Sequence, residues 1–142
     1  MIPRKFLRLL PLVAVILLTG CVRDSASYQF PEEDHAITLL RNQNFFWVST
    51  VQLDVVALRL PDCNSGIRVK DVPRFNKLSL YQAPDIYPEP IFILQTGKRH
   101  YAISTLSCQV QKFDEAPPDL GEMVGQFYEK DGKFQFFAGK GE

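Results

Sequence analysis

In the segment 45–60, FFWVSTVQLDVVALRL, apolar and polar side chains alternate in a way that only a strand with one buried side accommodates. Phe45, Trp47, Val51, Leu53, Val55 and Ala57 share one parity, while Thr50, Gln52 and Asp54 fall on the other. Successive strand side chains point to opposite faces, so the first set would line a core. The segment is longer than an ordinary strand, which predicts a bend or bulge near Ser49-Thr50.

The rest of the chain is punctuated in the same style. Pro61-Asp62-Cys63-Asn64-Ser65-Gly66 is a dense turn signal. IRVKDV alternates and stops before Pro73, and FNKLSLYQ places Phe75, Leu78 and Leu80 near one another before Pro84. IFILQT and HYAISTLSCQV flank Gly97-Lys98-Arg99 as a hairpin, and VGQFYEK and KFQFFA flank Asp131-Gly132, the type I′ signature. The stretches APDIYPEP and EAPPDLGE hold too many prolines for regular structure. HAITLLRNQN suits a short helix after Pro31 or a strand, and its β-branched Ile37 and Thr38 favour the strand. The expected fold is all-β, an antiparallel sandwich or small barrel of about seven or eight short strands.

The N-terminal segment reads differently. Arg4, Lys5 and Arg8 precede an apolar run from Leu9 to Leu18, which gives way to Thr19-Gly20. A basic start, a short apolar core and a small-residue exit form the layout of a secretory signal. The run is about half the roughly 20 residues that a bilayer span requires. Leu18-Thr19-Gly20-Cys21 resembles the lipobox of bacterial lipoprotein precursors. That resemblance covers the targeting segment alone. It implies a signal peptide over 1–20, diacylglycerol on the Cys21 thiol, cleavage before Cys21 and acylation of the new amino terminus. Val22 after the cysteine, rather than an aspartate, implies transport to the outer membrane, with the domain in the periplasm. Residues 22–34 are polar and small apart from Tyr28 and Phe30, so 21–35 are then expected to form the lipidated N-terminus and a flexible tether. Residues 36–142 would be one domain.

With Cys21 assigned to lipid, Cys63 and Cys108 form an even pair in an oxidising compartment, and a disulfide is expected between them. Buried free thiols or a metal pair are the alternatives. Metal is disfavoured, because neither His35 nor His100 stands at ligand spacing from a cysteine. Without 1–20 the chain carries 13 basic against 16 acidic residues, and no basic stripe supports nucleic-acid binding.

Phosphate-cradling, nucleophile-elbow, zincin and EF-hand motifs are absent, so no cofactor, metal site or catalytic residue is assigned. His100 with Ser104 or Ser107 is the one base–nucleophile pairing worth naming, and it would centre a small periplasmic hydrolase or ligand-binding domain. The acidic groups Glu32-Glu33-Asp34 and Asp114, Glu115 and Asp119 read as solvated charge. Strands apolar on both faces, as in IFILQT and KFQFFA, must cover two surfaces. The second surface is either packed beneath a proline loop or presented to a partner. In the latter case Tyr81, Ile86 and Tyr87 with Phe92 form a recognition patch. The functional expectation is therefore a membrane-anchored, non-catalytic binding or accessory module for another envelope protein.

Overall fold

The computed structural model describes residues 21–32 and 34–139, and among these every regular element is a strand. In chain order they are β1 (Arg23–Gln29), β2 (His35–Asn42), β3 (Thr50–Arg59), β4 (Cys63–Pro73), β5 (Leu78–Gln82), β6 (Phe92–Thr96), β7 (Arg99–Ser104), β8 (Gln109–Lys112), β9 (Glu122–Lys130) and β10 (Lys133–Ala138). Antiparallel pairing yields one sheet ordered β1-β2-β3-β4 and a second ordered β10-β9-β5-β6-β7-β8. The sheets face each other as a sandwich, with β1 beside β10 and β4 beside β8 at its margins. The all-β architecture is thus a sandwich and not a closed barrel. Residues 1–20, read above as a signal peptide, lie outside the described residues.

The alternation in β3 works as the sequence implies from Val51 onward. Leu53, Val55 and Ala57 face inward with Ile37 and Leu39 of β2, against Leu80, Leu94, Ile103 and Phe127 of the other sheet. A fully buried side chain of this kind contributes about 1.5–3 kcal/mol relative to exposure, so the double row as a whole holds the layers together. Phe45 and Trp47 have the right parity but lie outside the strand and are exposed. The β2–β3 ladder ends at Asn42 opposite Gln52, so residues 45–48 lie beyond it. The expected irregularity sits one strand further on. Val51 pairs with Val72 but Leu53 with Val69, which inserts an extra residue into β4, and Asp71 there adopts φ +58°. This bulge lets Val69 and Val72, three positions apart, both reach the core.

Among the described residues ten strands form where about seven or eight were expected, for two reasons. The first is that residues 23–29, within the expected flexible tether, form a strand. Arg23 to Gln29 pair with β2 along their whole length, burying Val22 and Ala26. An edge strand needs only one inward row, and here that row is mostly small or polar, so its pattern resembles a linker. The second is that HYAISTLSCQV folds back on itself as β7 and β8. The turn uses Cys108 at φ +59° in place of glycine. The two hairpins marked by glycine form as expected, with Gly97 at φ +59° and both Asp131 and Gly132 at positive φ.

Cys63, at the start of β4, is bonded to Cys108, just before β8, with Cα atoms 5.6 Å apart. The expected disulfide therefore staples the two sheets along one margin.

Candidate functional site

Antiparallel order sends the β1–β2, β3–β4, β5–β6 and β7–β8 connections to one end of the sandwich. A groove of about 520 Å³ opens there between the layers. Tyr28 and Phe30 enter it from the end of β1, Phe92 from the start of β6, and Leu106 from the β7–β8 turn. The alternation of β1 carries Tyr28 inward on the same row as Val22 and Ala26, and Phe30 continues that row. Phe30 lies 4.7 Å from Phe92 and 5.2 Å from Tyr28 between ring centroids, within the range of favourable aromatic pairing.

The cluster continues into the core. Tyr28 meets Phe136 at 5.0 Å, and Phe136 meets Phe127 at 4.9 Å. Phe136 occupies space that a side chain at Gly125 would need: a Cβ there would lie 2.4 Å from both the Phe136 ring and the Phe137 carbonyl oxygen. Gly125→Ala is therefore expected to destabilise the domain by about 1–3 kcal/mol, as overpacking does elsewhere. It should also shift the NMR signals of Tyr28 and Phe30; a neutral effect on the urea midpoint would refute this packing role.

The polar groups of the groove come from both sheets. His35 Nδ1 lies 2.7 Å from Thr105 Oγ1, a hydrogen bond linking β2 to the β7–β8 turn. Its imidazole stacks on Phe30 at 5.7 Å. Glu32 and Gln82 complete the polar lining. Burial, with a smaller contribution from the Glu32 carboxylate, raises the Tyr28 hydroxyl above its ordinary pKa. Tyr28 accordingly stays protonated at neutral pH and offers a donor inside an otherwise aromatic wall. The groove is suited to an apolar or aromatic group anchored by a few hydrogen bonds.

The residues singled out from sequence are not brought together as one patch. Phe92 faces inward and lines the groove, whereas Tyr81, opposite Ile93, faces outward and donates to Gln95 Oε1 at 3.3 Å. Ile86 is exposed and Tyr87 half-buried on the loop between β5 and β6, which contributes Pro90 to the groove wall. Ile93 is fully buried outside the core cluster, so the outer face of this sheet is covered at that point.

His100 is also buried, on the outward row of β7 with Ser104. Among the described residues neither serine hydroxyl is hydrogen-bonded to it. Ser104 Oγ accepts the Ser107 N–H at 3.1 Å, and Ser107 Oγ donates to Glu89 at 2.9 Å. Asp119 accepts the Gly121 N–H, and among the described residues no three His, Cys, Asp or Glu side chains gather closely enough to hold a metal ion.

Sequence reasoning missed Tyr28, Phe30, His35 and Thr105. A signal for the first two was present: they continue the even parity of Val22 and Ala26. What defines this molecule is a disulfide-stapled β-sandwich with an aromatic groove at one end. Comparison with protein-family models, curated proteins and solved structures finds no match to the chain.

Proposed function

We propose that this protein is a lipid-anchored module of the bacterial envelope that binds another envelope protein through the end groove. The lipobox resemblance supports the anchor on Cys21, and Val22 supports delivery to the outer membrane. Several acyl chains on one residue make attachment lasting, since each buried methylene adds about 0.8 kcal/mol.

The observation that carries the reading is the course of β1. It starts two residues after Cys21 and ends at the groove residues Tyr28 and Phe30. At about 3.3 Å per residue this strand separates anchor from groove by roughly 23 Å. An anchored domain would then hold the groove away from its own membrane and towards the periplasm. The module acts by binding, without catalysis or cofactor.

Cys21→Ser is expected to abolish labelling by an alkyne fatty acid, and unchanged labelling would sink the anchor. A photocrosslinker at Leu106, exposed on the groove rim, should capture a discrete protein in cells, and one at Leu40, exposed on β2, should not. Phe30→Ala should erase the Leu106 adduct. Equal adducts from both positions would refute the groove.

A second reading, a small-molecule site, is favoured by the polar lining of Tyr28, Glu32, His35 and Gln82. The volume falls in the ordinary range for such sites, about 300–1,000 Å³. Under that reading Leu106 captures no protein, and a metabolite extract raises the melting temperature of wild type but not of Phe30→Ala.

A further inference from the structure

The end of the sandwich opposite the groove carries an aromatic tip. Phe45, Phe46 and Trp47, on the β2–β3 connection, are 51%, 57% and 68% exposed, and Phe75 on the β4–β5 connection is 72% exposed. Phe45 stacks on Trp47 at 4.8 Å and Phe46 meets it edge-on at 5.0 Å, so the three rings form one protrusion. The Arg74 N–H donates to the Ser49 carbonyl at 3.0 Å, which ties the two connections together. A contiguous apolar patch of this kind on a small domain marks an interaction surface.

Its place relative to Cys21 indicates what covers it. The Gln43 N–H donates to the Val22 carbonyl at 2.9 Å, and the Gln43 side chain donates to the Val48 carbonyl. One buried residue thus fixes both the base of the aromatic loop and the residue next to Cys21. The charges are sorted the same way. Around the tip the exposed lysines Lys70, Lys77, Lys98, Lys130 and Lys133 outnumber the exposed acids Asp71, Asp114, Glu115 and Asp131. Around the groove, the charged residues described in the connections 30–34, 60–62 and 83–91 are all acidic: Glu32, Asp34, Asp62, Asp85 and Glu89.

We propose that Phe45, Phe46, Trp47 and Phe75 seat in the headgroup region of the bilayer to which Cys21 is anchored, a conclusion that rests on the anchor reading above. Tryptophan and its aromatic neighbours favour that interface because an apolar body meets a polar edge there. The surrounding lysines face anionic lipid, and the acidic end points outward. The loop adds a second point of contact beside Cys21 and so fixes the orientation of the domain.

Trp47 is the single tryptophan of the chain, so its emission reports on this loop alone. The mature lipidated protein would be reconstituted in phosphatidylethanolamine–phosphatidylglycerol vesicles with brominated acyl chains. Co-flotation and the intact mass would report the anchor. Trp47 should shift to the blue, lose most of its emission to the brominated chains and resist aqueous acrylamide. In Phe45→Ser/Phe46→Ser, which alters exposed side chains only, flotation should persist while the bromine quenching falls away. A lipidated protein that floats with Trp47 unquenched and open to acrylamide would overturn the proposal alone, as would equal quenching in the double variant. An unmodified Cys21 by mass would overturn the anchor and the proposal together.

Discussion

Arg41→Met should cost the domain about 3–5 kcal/mol in urea unfolding, because it strips a buried guanidinium from partners that stay behind. The Arg41 side chain is 2% exposed. Its Nε and Nη2 donate to the two Asp24 oxygens at 2.8 and 2.7 Å, Nη2 also donates to Glu129 at 3.1 Å, and Nη1 to the Arg74 carbonyl at 3.1 Å. The ring of Phe134 lies beneath it at 4.2 Å. Asp24 and Arg41 belong to one sheet and Glu129 to the other, so the cluster bridges the layers. A loss below about 1 kcal/mol would place Arg41 with ordinary surface pairs and contradict this account.

The same cluster sets an acid limit. The Arg74 guanidinium, helped by Arg41 and opposed by burial, holds the Glu129 carboxyl below the ordinary 4.5. A carboxylate with a depressed folded-state pKa stabilises the fold fully above its unfolded value and progressively less as pH falls through the folded one. Wild type should therefore lose stability below about pH 4.5 more steeply than Glu129→Gln. Parallel pH profiles for the two proteins would refute the assignment.

Removing the disulfide is the second large effect. The bridge spans 45 positions. Cys63→Ala/Cys108→Ala should lose about 3–4 kcal/mol in the chain-entropy account, read as a lower urea midpoint that reductant no longer changes. The consequence reaches the groove, because Cys108 closes the turn that holds Thr105 and Leu106. Without the bridge, the His35–Thr105 hydrogen bond should loosen and the His35 imidazole signals should broaden. A double variant with wild-type midpoint and unchanged His35 signals would contradict both expectations.

The sequence was most legible where a signal depends on neighbours along the chain. The inward row of β3, the Asp131-Gly132 hairpin and the Gly97 turn follow from side-chain alternation and positive-φ residues. The cysteine pair was legible once the lipobox resemblance set Cys21 aside. The strand β1 was not, because an edge strand of serine, alanine and charged residues carries little hydrophobic signal. The β7–β8 turn was not, because Cys108 adopts a conformation usually marked by glycine. In the sequence Phe92 reads as part of one surface with Tyr81. Strand pairing put the two on opposite faces of one sheet.

By itself, then, the sequence pointed to an all-β architecture for the described residues, most of its strands, two of its turns and a disulfide between Cys63 and Cys108. The tertiary structure alone decided that Tyr28 and Phe30 meet Phe92, that His35 reaches Thr105, and that Arg41 meets Glu129. The reason is one of range. Periodicity reports what residues two apart do, whereas the last two of these contacts join residues 70 and 88 positions apart through the packing of two sheets. They exist only once the order of strands across both layers is settled.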